Sequence, residues 1–124
     1  MATTAEVAND LVALCRKGKS LEAIDKYYSD NIVSVESTSS PEMPKEMKGF
    51  KTVRGKTEWW LANHQVNSEE INGPFIGEKQ FAVEFKSDVT QKVSGKRMKM
   101  EEMALYTVES GKIVHEHFFY NPGA

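Results

Sequence analysis

Two long runs near the end of the chain, "RMKMEEMALYTV" (97–108) and "KIVHEHFFY" (112–120), are joined by only "ESG". Alternating, β-branched and aromatic residues on both sides of a short glycine-bearing turn read as an antiparallel hairpin. "EEINGPFI" (69–76) and "QFAVEFKSDVT" (80–90) precede it, with "GEK" and "QKVSGK" as the intervening turns. Successive runs of this kind form a meander whose apolar side must be covered by the rest of the chain. The last turn sets which side is which. With Gly111 in the left-handed position of a three-residue loop, Val108 pairs with Lys112, Tyr106 with Val114, Ala104 with Glu116 and Glu102 with Phe118. Period-two alternation then puts Glu102, Ala104, Tyr106, Val114, Glu116, Phe118 and Tyr120 on one face. Met103, Leu105, Ile113, His115, His117 and Phe119 take the other. A two-residue turn would exchange the partners and undo this assignment. Both faces are largely apolar, so both are expected to be covered.

The first half of the chain reads as helical. Val7, Leu11, Leu14 and Cys15 recur at three and four, "RKGK" closes that segment with cations, and Gly18 suits a left-handed cap. Ser20 is placed to cap a short second helix, "LEAIDKYY", ended by "SDN". "IVSVE" (Ile32 to Glu36) alternates and is β-branched, hence a strand. "STSSPEMPKEMKG" (37–49) has prolines and hydroxyls but no period, so it is expected to be an irregular loop, either a lid or merely loose. A third helix is expected from about Phe50 to Gln65, carrying the adjacent pair Trp59 and Trp60. Helices first and a strand meander after them indicate the α+β class, helices on one face of a curved antiparallel sheet, in a single domain over 1–124.

Bulk properties exclude several functions. Hydrophobic content is 40% and charged content 27%, with 16 basic residues against 18 acidic ones. That interspersed balance gives no electrostatic footprint for nucleic acid or an anionic membrane. No apolar run approaches the ~20 residues of a spanning helix. The start of the chain lacks the pattern of a signal peptide, and a single cysteine fits a reducing cytoplasm, so a cytoplasmic protein is expected. Cys15 sits among apolar helix positions and reads as a packing thiol. Paired cysteines, a glycine-rich phosphate loop and a Ser-His-Asp order are missing, so the sequence suggests no cofactor.

"LEAIDKYYSDNIVSVES", "EWWLANHQV", "INGPFIGEKQFAVEF", "DVT" and "ALYTVESGKIVHEHFFY" together resemble the SnoaL-like family of the nuclear transport factor 2-like superfamily, which also holds ketosteroid isomerase-like enzymes. The resemblance spans nearly the whole chain. It implies a cone-shaped NTF2-like fold, three N-terminal helices on a curved sheet enclosing a conical pocket, with a homodimer through the convex sheet face. It also implies a small, largely apolar ligand. The superfamily hosts isomerases, cyclases, hydrolases and non-enzymes, so fold alone does not choose among them.

Within that frame, Glu36 falls on the position of the catalytic base of ketosteroid isomerase-like enzymes. A carboxylate at the rim of an apolar cavity is driven toward the working range of a general base, whereas a strand-end carboxylate that faces water is not. The oxyanion donors of that enzyme fall at Val12 and near Ala104, neither of which can donate, so a steroid isomerase is not expected. Trp60 and His64 are four apart and share a helix face, which makes Trp60 a pocket wall. Trp59, turned about 100° away, is expected to pack the entrance loop. His64 is either an acid/base group or a histidine held by the helix C-terminus. Glu116 stands between Val114 and Phe118 and needs a partner, for which His64, Tyr106 and Arg54 are candidates. The remaining expected walls are Phe85, Tyr106, Phe118 and Tyr120, with Phe81 and Val83 also inward. His115 and His117 have H-x-H spacing but no evident third ligand, so no metal is expected. The catalytic candidates are therefore Glu36, His64 and Glu116, acting on a carbonyl compound; a non-catalytic binding protein or a dimeric module of the same fold is the alternative.

Overall fold

The computed structural model describes residues 1–41 and 43–121. The elements are α1 (Thr4–Arg16), α2 (Ser20–Tyr27), β1 (Tyr28–Val35), β2 (Glu46–Lys48), α3 (Phe50–Asn63), β3 (His64–Ile76), β4 (Gln80–Gln91), β5 (Arg97–Glu109) and β6 (Lys112–Phe119). α1 begins with a reciprocal cap: the Glu6 amide donates to Thr3 Oγ1 at 3.1 Å and the Thr3 amide donates to Glu6 Oε1 at 3.0 Å. It ends at Gly18 in a left-handed conformation, as its sequence suggests.

The strands form one six-stranded sheet in the order β2-β1-β6-β5-β4-β3. The meander expected from the sequence is present and antiparallel, but β1 joins β6 in parallel, so the sheet is mixed. Boundaries also move. The α3 pattern stops at Asn63 and "HQVNS" is strand, because the β3–β4 ladder runs on to His64 opposite Gln91. The expected loop over 37–49 contains a strand, β2, with Met47 opposite Ser34 and the Glu36 amide donating to Lys45 O at 2.7 Å. Glu42 of that loop lies outside the described residues.

The last hairpin corrects the expected turn. Glu109 pairs with Lys112, so the loop has two residues, Ser110 and Gly111, both with positive φ (50° and 75°) as a primed turn needs. A two-residue loop alone would have turned the faces over. A register shift in β6 between Ile113, opposite Val108, and His115, opposite Thr107, leaves Val114 as an inserted residue and restores the parity beyond it. Tyr106 therefore faces Glu116 and Ala104 faces Phe118, each two residues from the expected pairing but on the expected side. The exceptions are Ile113, assigned to the outer face by the three-residue turn but fully buried in the core, and Val114, assigned inward but part of neither the core nor the cavity lining.

The core is one cluster built from the inner faces of α1 and α2 and the sheet, with Val7, Leu11, Ile24, Ile32, Phe81 and Val83 at its centre. No helix of the described residues is long and apolar enough to cross a membrane. The corrected register is open to a direct test. Ile113→Ala should lower the unfolding free energy by about 3 kcal/mol, and His115→Ala by less than about 1 kcal/mol, in urea titrations. Equal costs would mean that the inserted residue is elsewhere.

Candidate functional site

Between the sheet and the helices lies a cavity of about 370 Å³. Leu11, Ile24, Phe85, Met100 and Phe118 give it apolar walls, and four carboxyl side chains, Glu36, Glu69, Glu102 and Glu116, reach it. Lys56 is the one cation among its described lining residues.

Glu116 is 2% exposed. The hydroxyl of Tyr28 donates to its Oε1, Ser34 Oγ donates to Oε2 at 2.6 Å, and Lys56 Nζ stands 3.7 Å from Oε2. Burial pushes its carboxyl above the usual range, against the pull of Lys56, Ser34 and Tyr28. Lys56 also donates to Ser34 Oγ at 2.6 Å and to Glu36 Oε2 at 2.9 Å, with its ammonium 4.9 Å from the centre of the Phe118 ring. Tyr120 donates to the other oxygen of Glu36 at 3.2 Å. Tyr28, Glu116, Ser34, Lys56, Glu36 and Tyr120 thus form one continuous hydrogen-bonded chain. Burial pushes the Tyr120 hydroxyl up to about 12 and that of Tyr28 well above its usual range, so both stay protonated donors.

Glu102 is different. It lines the same cavity, opposite Phe85 on β4, and no described residue hydrogen-bonds or ion-pairs with it. Withdrawal from water pushes its carboxyl up to about 7, helped by the charge of Glu36 and opposed by Lys56. Glu69, nearer solvent, accepts from Ser87 Oγ at 3.0 Å, and partial burial raises its carboxyl too.

Seven of the eight residues singled out from the sequence, Glu36, Trp60, Phe85, Tyr106, Glu116, Phe118 and Tyr120, line this cavity. His64 does not. It ends α3, its Nδ1–H donates to Trp60 O at 2.9 Å, and its ring stacks on the Trp60 indole at 4.5 Å. Trp59 is not a packer of the loop alone: it is 40% exposed and lines the cavity beside Trp60. The partners expected for Glu116 are also revised. Arg54 pairs with Asp25 and Glu58 on the surface, and Tyr106 stacks on Phe81.

Lys56, Tyr28 and Ser34 escaped the sequence reading as site residues, and Glu102 was placed on the inner face but given no role. Lys56 lies one turn before Trp60 on α3, Ser34 shares the inner side of β1 with Ile32, and Tyr28 reads as the end of a helix when it opens a strand. Only Glu102 carried a signal, as a carboxyl on the inner face. Removing the shared cation should expose the dependence of the network on it. Lys56→Met should cost about 2–3 kcal/mol of stability by chemical denaturation at pH 7, because Ser34 and Glu36 lose a hydrogen-bond donor and the buried Glu116 loses the cation beside it.

A SnoaL-like domain profile matches residues 2–120. Among solved structures, a protein of Mesorhizobium loti provisionally described as a SnoaL-like polyketide cyclase is 40% identical, superposes with a TM-score of 0.90, and covers 96% of this chain and 100% of its own. An NTF2-like protein of Burkholderia thailandensis shares the fold at 16% identity (TM-score 0.81, 98% of this chain and 92% of its own). A Catenulispora acidiphila protein with a ketosteroid isomerase-like fold, solved with trimethylamine, does so at 15% (TM-score 0.73, 97% and 88%). No curated protein matches the chain. With nearly its whole length matched and its elements in the same arrangement, the chain belongs to the SnoaL-like family, on an NTF2-like α+β fold.

Proposed function

We propose that this chain binds a small, largely apolar carbonyl compound in the cavity and moves a proton on it with its own side chains, as an isomerase- or cyclase-like catalyst. The observation that carries this reading is Glu102, a carboxyl without an ion pair or hydrogen bond among the described residues, on the cavity wall beside Phe85 and Met100. A base works best when its pKa lies near the working pH, and Glu102 is placed there by its surroundings. Glu36, expected from the sequence to be the base, has both oxygens engaged by Lys56 and Tyr120 and serves better to hold that cation in place. Glu116 anchors the same cation from below. His64, away from the cavity, has no part in the chemistry.

The step is an enolisation. The Glu102 carboxylate takes a proton from the carbon beside the carbonyl; the C–H electron pair moves into the C–C bond and the carbonyl pair onto oxygen. The Lys56 ammonium, with a third N–H beyond those given to Ser34 and Glu36, stands on the cavity wall to stabilise the resulting enolate. The proton then returns from Glu102 to carbon, at the original or a conjugated position, and the charges balance.

The second reading, a carrier of the same ligand, rests on the size and apolar walls of the cavity alone. A homodimer is proposed on the sheet face turned away from the helices, where Phe75 and Phe119 are 60% and 47% exposed.

Proton exchange separates the two readings. With 2-tetralone in D₂O, followed by NMR, the protein should speed exchange beside the carbonyl, with a rate that rises as pH passes through about 7 and Glu102 ionises. Glu102→Gln should slow it by about 10²–10⁴-fold while quenching of Trp59 and Trp60 fluorescence still reports binding. Quenching with no exchange would make the protein a carrier.

A further inference from the structure

The charges around the cavity do not balance. Lys56 is committed to Glu36 at 2.9 Å and approaches Glu116 at 3.7 Å, so the one cation is already matched by two carboxyls. Glu69 and Glu102 remain: among the described residues neither forms an ion pair, and the field of Lys56 on Glu102 is outweighed by burial and the charge of Glu36. Both lie on the sheet wall: Glu69 opposite Ser87 and Glu102 opposite Phe85, one row apart across β4. Their side chains are close enough that the charge of Glu69 opposes ionisation of Glu102. Across from them α3 supplies Trp59 and Trp60. The protein itself shows how an ammonium is received here, since Lys56 sits over the Phe118 ring with carboxylates at its side.

We propose that the cavity recognises a small apolar amine as its ammonium ion, held by Glu102 and Glu69 on the sheet wall and facing the aromatic side chains of α3. This rests on the reading of the cavity as a ligand site and names the recognised group, a basic nitrogen. The physical reasons are three. A carboxyl without a partner in an apolar wall is penalised for ionising, and a cation beside it removes that penalty. An N⁺–H···O⁻ hydrogen bond is stronger than a neutral one. An aromatic face adds attraction for a desolvated cation. The same arrangement rejects anions, because a ligand carboxylate would meet four acids and a lysine already paired.

Binding then has a signature. The groups facing Glu102 are Glu36, Lys56, Glu116, Glu69 and the hydroxyls of Tyr106 and Tyr120. Below pH 7 Glu102 carries a proton in the free protein, and an ammonium docking against it expels that proton to solvent. A neutral ligand of the same shape does not.

Isothermal titration with N,N-dimethylcyclohexylamine, cyclohexyl methyl ketone and cyclohexanecarboxylate decides it, at pH 6 in two buffers of different ionisation enthalpy. The amine should bind at least about tenfold tighter than the ketone, release most of one proton, and leave the carboxylate weakest. In Glu102→Gln, shown by circular dichroism to be folded, amine affinity should fall to that of the ketone and proton release should vanish. Glu69→Gln, nearer the surface, should weaken the amine by a smaller factor with proton release retained. Amine binding no tighter than ketone binding, or tightest binding by the carboxylate, overturns the proposal and leaves the cavity as a ligand site. No binding by any of the three overturns both.

Discussion

Glu116 is taken almost wholly from water in the middle of an apolar sheet face, and it has to be satisfied from within the protein. Its partners come from three directions. Tyr28 and Ser34 reach it from the two ends of β1, and Lys56 from α3. The parallel pairing of β1 with β6 is what sets Ser34 directly opposite Glu116. A network of this kind is demanding: fully satisfied it fixes one geometry, and half satisfied it is worse than an apolar core. Each member of this network has a hydrogen-bond partner, so it is of the first kind. The position of α3 over the sheet, and with it the shape of the cavity, follows from that requirement.

Much of this was legible in the sequence, and the limits have physical causes. The α+β class, the three helices and the meander come from periodicity, which is a local property. The inward set on β4 and β5 was also readable, since alternation only needs one fixed point. That point was the last turn, and it was misread by one residue: "ESGK" closes through Ser110 and Gly111, and the resulting inversion is cancelled by the inserted Val114. Two local departures compensated each other because Glu116 and Phe118 must face the helices for the core to close. Ile113, placed outward, is buried in the core, and Val114, placed inward, is the inserted residue and belongs neither to the core nor to the cavity wall.

The site was legible in its walls but not in its pairings. Aromatic side chains on an alternating strand announce themselves; the partner of a buried charge does not, because it comes from elsewhere in the chain. Glu116 stood out as an acid among apolar neighbours, yet Lys56 looked like any helix-surface lysine until the helix was laid on the sheet. His64 failed for a related reason. Its helical spacing from Trp60 is real, but α3 ends at Asn63, and a histidine at a helix terminus finds the last free carbonyls before it finds a cavity.

The carboxyls around the cavity share one chemistry and are sorted by what each can reach. Glu36 and Glu116 lie within reach of α3 and its lysine, so their charges are spent on holding the fold together. Glu102 and Glu69 project from β5 and β3, beyond that lysine's hydrogen bonds, where β4 between them offers only Phe85 and Ser87 inward. A protein gains nothing in stability from an unpaired acid in an apolar wall; for Glu102 it costs stability above the carboxylate's ordinary range, through about pH 7, as the unfolded chain ionises and the folded one resists. Leucine or methionine would fill the position without that penalty, as Met100 does two residues earlier on the same face. The penalty is relieved by a ligand that either takes the proton's place or exchanges protons with the group. That is why the functional weight of this cavity rests on Glu102, the carboxyl its own chain leaves unpaired.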